Sequence, residues 1–131
     1  ARMAKKGRRD VRALPRSANP HSRPGGVADV AQRITEGSTT ALEQVRSALE
    51  IIGRRRAELN AFVHLAPENA LLERAEALDR ERAAGQIRGQ LHGIPVSIKD
   101  IVHVEGMPTT SSSRVMEGYM PREDAAAVRL L

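Results

Sequence analysis

The most informative segment of this sequence is residues 93–100, Gly-Ile-Pro-Val-Ser-Ile-Lys-Asp. Aliphatic residues at positions 94, 96 and 98 alternate with Pro95, Ser97 and Lys99, which is the period of two that β-strands show. A strand with so aliphatic a face is typical of a buried sheet. The pattern therefore predicts a strand here, with Lys99 on the face opposite the aliphatic side chains.

Amphipathic helices are predicted on the N-terminal side of this segment. Apolar residues at positions 27, 30, 31 and 34 predict a first helix over residues 27–36 that ends at Gly37. Thr40 and Glu43 have the spacing of a capping box, so a second helix should begin near Thr40. An apolar stripe at positions 42, 45, 49 and 52 continues this helix, and Gly53 with the three following arginines indicates its end.

A third helix and a second strand complete the predicted elements. Pro67 opens the helix and Gly85 ends it, and its mixed charges, which include Asp79, predict a solvated outer face. Residues 61–65, Ala-Phe-Val-His-Leu, predict a short strand. Helices followed by aliphatic strands indicate an α/β fold class. Because two strands do not make a complete sheet, we expect the chain to be truncated and to hold only the first strands of a larger one.

The charge of the chain is concentrated at its N-terminus. Residues 1–24 contain eight of the 21 Lys and Arg residues and one anion, whereas residues 25–131 carry a net charge of −2. We expect residues 1–26 to form a basic disordered tail or linker, and residues 27–131 to form the folded part. Since the positive charge does not follow a folded face and aromatic residues make up only 2% of the chain, a nucleic-acid-binding domain is disfavoured.

Residue types exclude several kinds of site. The chain has no cysteine, which excludes disulfides, thiol nucleophiles and cysteine zinc sites. The four histidines, at positions 21, 64, 92 and 103, lack the i, i+4 spacing of a zinc helix, so no metal site is predicted. No apolar run approaches the roughly 18 residues of a membrane helix. We therefore expect a cytoplasmic protein that does not bind membranes.

Two sequence features have both a structural and a chemical interpretation. The serines at positions 111–113 could include a nucleophile, but no glycine elbow surrounds them and a polar loop is the simpler interpretation. Lys99 could be an ordinary surface lysine whose stem covers apolar side chains. Alternatively, burial on a covered sheet would disfavour its ammonium form, lower its pKa and leave a neutral amine that can act as a base.

A family resemblance favours the second interpretation of Lys99. Residues 91–110, Leu-His-Gly-Ile-Pro-Val-Ser-Ile-Lys-Asp-Ile-Val-His-Val-Glu-Gly-Met-Pro-Thr-Thr, resemble the amidase signature family, which combines a Gly-Ile-Pro strand ending in Lys-Asp with a Gly-x-Pro-Thr-Thr loop. Residues 59–63 and 121–128 fit the same order, so the resemblance covers residues 27–131. The sequence departs from the family at Ile101, where Asn often follows Lys-Asp, and at Ser112, where Gly is common.

The resemblance implies the large mixed-sheet fold of that family and hydrolysis of a carboxamide C–N bond in a small-molecule substrate. It implies a Ser–cis-Ser–Lys triad in which Lys99 matches the lysine, while both serines lie further along than Leu131. Residues 27–131 are then expected to be an incomplete N-terminal part of such a domain, inactive alone. No metal or organic cofactor is implied.

Two alternative functions stay open. Within the family, the chain could belong to the glutaminase-type subunit of a tRNA-dependent amidotransferase, which passes ammonia to a partner. Outside it, the chain could be a non-catalytic helical adaptor whose basic tail binds an acidic partner or RNA, with the strong salt dependence of such binding. The aliphatic segment around Lys99 gives an adaptor no evident use.

Overall fold

A computed structural model describes residues 25–131, so the predicted basic tail lies outside the described residues except for its last two glycines. None of the helices in the described part is long and apolar enough to cross a membrane. The elements, in chain order, are α1 (Val27–Glu36), α2 (Ala41–Leu59), α3 (Glu68–Ala83), a 3₁₀ turn at Arg114–Met116, and the short helix α4 (Ala126–Arg129).

The first helix has the predicted bounds. Gly37 ends it in the left-handed conformation, with φ at 79°. The N–H of Ser38 donates to the Arg33 carbonyl at 2.9 Å, and that of Gly37 donates to the Ile34 carbonyl at 3.1 Å. This is the Schellman arrangement, which satisfies carbonyls that a helix end leaves free. The side chain of Ile34 is buried, and its Cδ1 atom lies 3.6 Å from the position that a Cβ on Gly93 would take.

The start of α2 is confirmed, but its predicted end is wrong. The Thr40 hydroxyl accepts from the Glu43 N–H at 3.0 Å, and the Glu43 carboxylate accepts from the Thr40 N–H at 3.1 Å, which is the predicted capping box. The helix then continues through Gly53 to Leu59, where Asn60 adopts a left-handed φ of 43°. A glycine inside a helix costs only about 1 kcal/mol, and the good helix formers that follow it offset that cost.

The third helix also follows its sequence signals. Pro67 precedes its first residue, and Gly85 lies just beyond its end with a φ of 76°. Helices α2 and α3 are antiparallel neighbours, because the start of α2 contacts Asp79 near the end of α3. Their shared core contains the small residues Ala41 and Ala75, which let the two backbones approach closely. Val45 belongs to the same buried core, and partly buried leucines pack against it at positions 42, 49, 71, 72 and 78.

The two predicted strands are not formed among residues 25–131, so the α/β part of the prediction is unconfirmed. A strand exists only where a neighbouring backbone pairs with it, and neither segment has such a neighbour within the described chain. The N–H of Ile94 instead closes a turn on the Leu91 carbonyl at 3.0 Å. The aliphatic face is also largely open, since Val96 is 52% and Ile98 is 36% exposed.

Candidate functional site

Lys99 lies where the backbone turns sharply. Its carbonyl oxygen accepts hydrogen bonds from the N–H groups of Ile101 at 2.7 Å and Val102 at 2.9 Å. Two bonds to one carbonyl reverse the chain within three residues. The Lys99 side chain is exposed, so residues 25–131 do not supply the burial that would lower its pKa. No carboxylate of residues 25–131 lies within ion-pair distance of its ammonium group.

Asp100, the next residue, joins this turn to a loop ten residues later. One carboxylate oxygen accepts from the Thr110 N–H at 2.8 Å, and the other accepts from the Thr110 hydroxyl. The Asp100 carbonyl oxygen accepts from the Ser111 N–H at 2.9 Å. Three hydrogen bonds from a single residue therefore connect the Lys99 turn to the loop at residues 109–113.

The hydrogen bonds also fix the charge state of Asp100. The Thr110 hydroxyl, and after it the Thr110 N–H, lower the pKa of Asp100 below its ordinary value of 3.8, against a smaller opposing effect of desolvation. Both groups donate to the carboxylate and so favour its ionised form. At neutral pH the bonds are therefore charge-assisted, which makes them shorter and stronger than bonds between neutral groups.

The 109–113 loop is itself held in place. Thr109 is buried, and its N–H donates to the Tyr119 carbonyl at 3.1 Å. Ser111 and Ser112 both have left-handed backbones, with φ of 51° and 56°. This conformation favours glycine, which gives a physical reason why a glycine is common at position 112 in the resembling family. The serines thus lie in a polar loop, as the sequence predicts, where Ser111 binds Asp100 through its backbone.

The start of the motif segment packs against the helices. Gly93 has a φ of 77°, and a Cβ on it would lie 2.8 Å from the Cβ of Ala41. Beside it, the buried ring of His92 donates from Nε2 to the Leu78 carbonyl at 2.9 Å and accepts at Nδ1 from the Arg88 N–H at 3.3 Å. The roles of the two nitrogens follow from these partners. Gly93 therefore packs against α2, and His92 binds α3 through a hydrogen bond.

Two acidic residues of α3 do not form the purely solvated face that the sequence predicts. Asp79 accepts from the N–H groups of Ala41 at 2.8 Å and Leu42 at 3.0 Å, and so caps the start of α2 from a neighbouring helix. Glu81 accepts from the guanidinium of Arg88, which lowers the pKa of the Glu81 carboxyl. The charge pattern of α3 does not predict these partners, because Ala41, Leu42 and Arg88 lie outside that helix.

The sequence pattern singled out Lys99 as a candidate and gave no role to Asp100 or Thr110, although both belong to the quoted motif. The available signal was that Asp100 and Thr110, which both have short polar side chains, lie at the two ends of a segment that contains Gly106. Of the histidines, His92 is hydrogen-bonded at both ring nitrogens, the His103 ring lies 5.4 Å from the Tyr119 ring, and His21 lies outside the described residues. Within residues 25–131, no three side chains of the metal-binding types lie together.

Comparison with known proteins identifies the family. The Amidase family model matches residues 43–131, which include the Lys99 turn and the 109–113 loop. The chain belongs to the amidase family. This confirms the resemblance drawn from the sequence motif.

Among curated proteins, the similar relatives include components of glutamyl-tRNA(Gln) amidotransferases. The A-type subunit of this enzyme from Rhodopirellula baltica is 39% identical over 104 residues, which are 79% of this chain and 21% of that protein. The corresponding protein of Chlamydia pneumoniae is 40% identical over 100 residues, 76% of this chain and 20% of that protein. The chain thus spans about a fifth of the length of these relatives.

Solved structures give the same result for the fold. Native peptide amidase from Stenotrophomonas maltophilia superimposes with a TM-score of 0.71 at 35% identity, over 79% of this chain and 21% of that chain. A chain from a vestigial protein complex that bears on the origins of an s-triazine catabolic enzyme gives a TM-score of 0.71 at 31% identity, over 79% and 22%. The described helices and loops are therefore arranged as in amidase-fold proteins.

Proposed function

We propose that this chain is part of an amide hydrolase and that Lys99 is its general base. The observation that carries the proposal is the position of Lys99 in the family-matched region, at the lysine of the Lys-Asp motif and on a turn fixed by Asp100. Lys99, once its amine is neutral, is the group of this turn suited to accept a proton, because the hydrogen bonds from Thr110 lower the pKa of the Asp100 carboxyl and make that carboxylate a poor base.

In the proposed reaction, the neutral amine of Lys99 takes a proton from a bridging serine, which takes one from a nucleophilic serine. The nucleophile's oxygen attacks the amide carbonyl, the C–N bond breaks, and the amine leaves with a proton returned along the same path. Water then hydrolyses the acyl-enzyme. Both serines come from sequence outside these 131 residues, and the same sequence would cover Lys99 and disfavour its charged form.

Two substitutions of Lys99 in the whole protein test this role. Lys99→Ala removes the proton acceptor, and Lys99→Arg keeps a cation that does not lose its proton. Both should lower kcat on a simple carboxamide by about 10²- to 10⁴-fold. Arg122→Gln, which removes an exposed cation elsewhere in the described chain, is the matched control and should leave kcat unchanged. Near-normal activity of Lys99→Arg would show that only a positive charge is needed and would contradict the proposal.

A second candidate function is the ammonia-producing component of a tRNA-dependent amidotransferase. The observation in its favour is the run of amidotransferase relatives that are 36–40% identical to this chain. The test is ammonia release from glutamine by the whole protein, with a simple carboxamide compared in parallel. Turnover of the carboxamide alone supports the hydrolase, whereas glutamine turnover that requires a partner protein supports the amidotransferase. Lys99 has the same role in both.

A further inference from the structure

Asp100 has more bonds to the 109–113 loop than a turn residue needs. Both of its carboxylate oxygens accept hydrogen bonds from Thr110, and its main-chain carbonyl oxygen accepts one from Ser111. The turn that follows Lys99 closes on the Lys99 carbonyl through two N–H groups. Asp100 thus holds the backbone on the C-terminal side of Lys99, and its side chain connects that backbone to the 109–113 loop.

The 109–113 loop, which donates these hydrogen bonds, is itself held in place by further contacts. Thr109 is only 3% exposed and is bonded to the Tyr119 carbonyl, and the Ser113 N–H donates to the Thr110 carbonyl at 2.8 Å. The Lys99 side chain, in contrast, is exposed and has no ion-pair partner among residues 25–131. The direction in which the Lys99 side chain extends therefore depends on the backbone turn. The hydrogen bonds of Asp100 hold that turn in place.

We propose that Asp100 and Thr110 form a clamp that positions Lys99 for proton transfer, Asp100 being a positioning residue and not a catalytic one. This inference rests on the proposed role of Lys99. Proton transfer requires the amine within hydrogen-bond reach of its partner, and a displacement of about 1 Å can lower a rate about 10²-fold. Loosening the clamp should consequently lower kcat and leave KM almost unchanged, because the clamp contributes no group to substrate binding.

The first part of the test uses matched variants at both ends of the clamp, in the whole protein. Thr110→Val removes the hydroxyl at nearly constant shape, and Thr110→Ser keeps it. We expect Thr110→Val and Asp100→Asn each to lower kcat by about 10- to 100-fold, with Thr110→Ser within about twofold of the wild type. If Thr110→Ser is as impaired as Thr110→Val, the hydroxyl is not the relevant group and the clamp is disproved.

The second part separates positioning from a general structural role. Asp100→Asn is introduced into Lys99→Ala, and the residual rate is measured. A clamp that acts only through Lys99 predicts no further loss in this background. An equal loss in both backgrounds would show that Asp100 merely supports the fold, and it would overturn the inference. Failure of the proposed function is recognised separately, since Lys99→Ala alone would then be nearly fully active.

Hydrogen exchange gives a readout that does not depend on activity. The Ser111 and Thr110 amides both donate to Asp100. Asp100→Ala removes the carboxylate that accepts from the Thr110 amide but keeps the main-chain carbonyl that accepts from the Ser111 amide. It should accelerate exchange of the Thr110 amide by at least about tenfold, while amides in the middle of α2 stay at the wild-type rate. Unchanged exchange at Thr110 would show that the bonds are not maintained in solution, and acceleration throughout α2 would show a global loss of structure. Either result contradicts a local clamp.

Discussion

Asp79 offers the sharpest test of how this part of the chain is held together. Its two carboxylate oxygens accept from the first two N–H groups of α2, at 2.8 Å from Ala41 and 3.0 Å from Leu42. A carboxylate at this end of a helix also interacts favourably with the positive pole of the helix dipole. Ala41 is fully buried, so water does not readily replace the lost acceptor. Asp79→Ala therefore leaves a buried donor unsatisfied.

The expected loss follows from these contacts. Hydrogen bonds to charged groups contribute about 1.5–3 kcal/mol, and loss of a helix cap costs about 0.5–2 kcal/mol. Because the two bonds share one carboxylate, we expect Asp79→Ala to lower the free energy of unfolding by about 2–3 kcal/mol in total. Asp79→Asn keeps one acceptor and should lose about half as much. A loss of 2–3 kcal/mol corresponds to roughly 30- to 160-fold faster exchange of amides in the first turns of α2.

The assay is hydrogen exchange of α2 combined with urea unfolding of each variant. Glu73→Gln is the matched control, since Glu73 is an exposed carboxylate on the same helix and its change should stay within about 0.5 kcal/mol. If Asp79→Ala behaves like Glu73→Gln, then solvent satisfies the start of α2 and the interhelical cap does not stabilise the fold. That result would contradict the stabilising role assigned to Asp79.

Two further predictions concern the motif segment. Gly93→Ala should destabilise the protein by about 2–4 kcal/mol in urea unfolding, because of its positive φ and a Cβ placed 2.8 Å from Ala41. Gly89→Ala, where no atom lies within 4 Å of the added Cβ, should change stability little, and equal losses at both positions would contradict the packing argument. The lowered folded-state pKa of Asp100 means that its stabilising effect is complete above its ordinary pKa of 3.8 and is lost as the pH falls through the lower folded value. Asp100→Asn should therefore flatten the acid side of the stability–pH curve below about pH 4, and an unchanged curve would exclude this carboxylate as its source.

Features that depend on near neighbours along the chain could be predicted from the sequence. Gly37, the Thr40 capping box and Pro67 each act within about four residues, and the corresponding helix ends lie where these signals predict them. The motif around Lys99 was equally readable, because a resemblance depends only on residue types and spacing along the chain. The family assignment followed from it without any knowledge of contacts.

Features that depend on partners distant in the chain could not be predicted before the packed structure was known. Asp79 looks like one more surface carboxylate until α3 packs beside the start of α2, 38 residues earlier in the chain. The residues 93–100 have the periodicity of a strand, but pairing requires a second backbone, and periodicity alone does not provide one. The partners of Asp100 are likewise set by how the 109–113 loop folds back, since a hydrogen bond forms where packing brings donor and acceptor together.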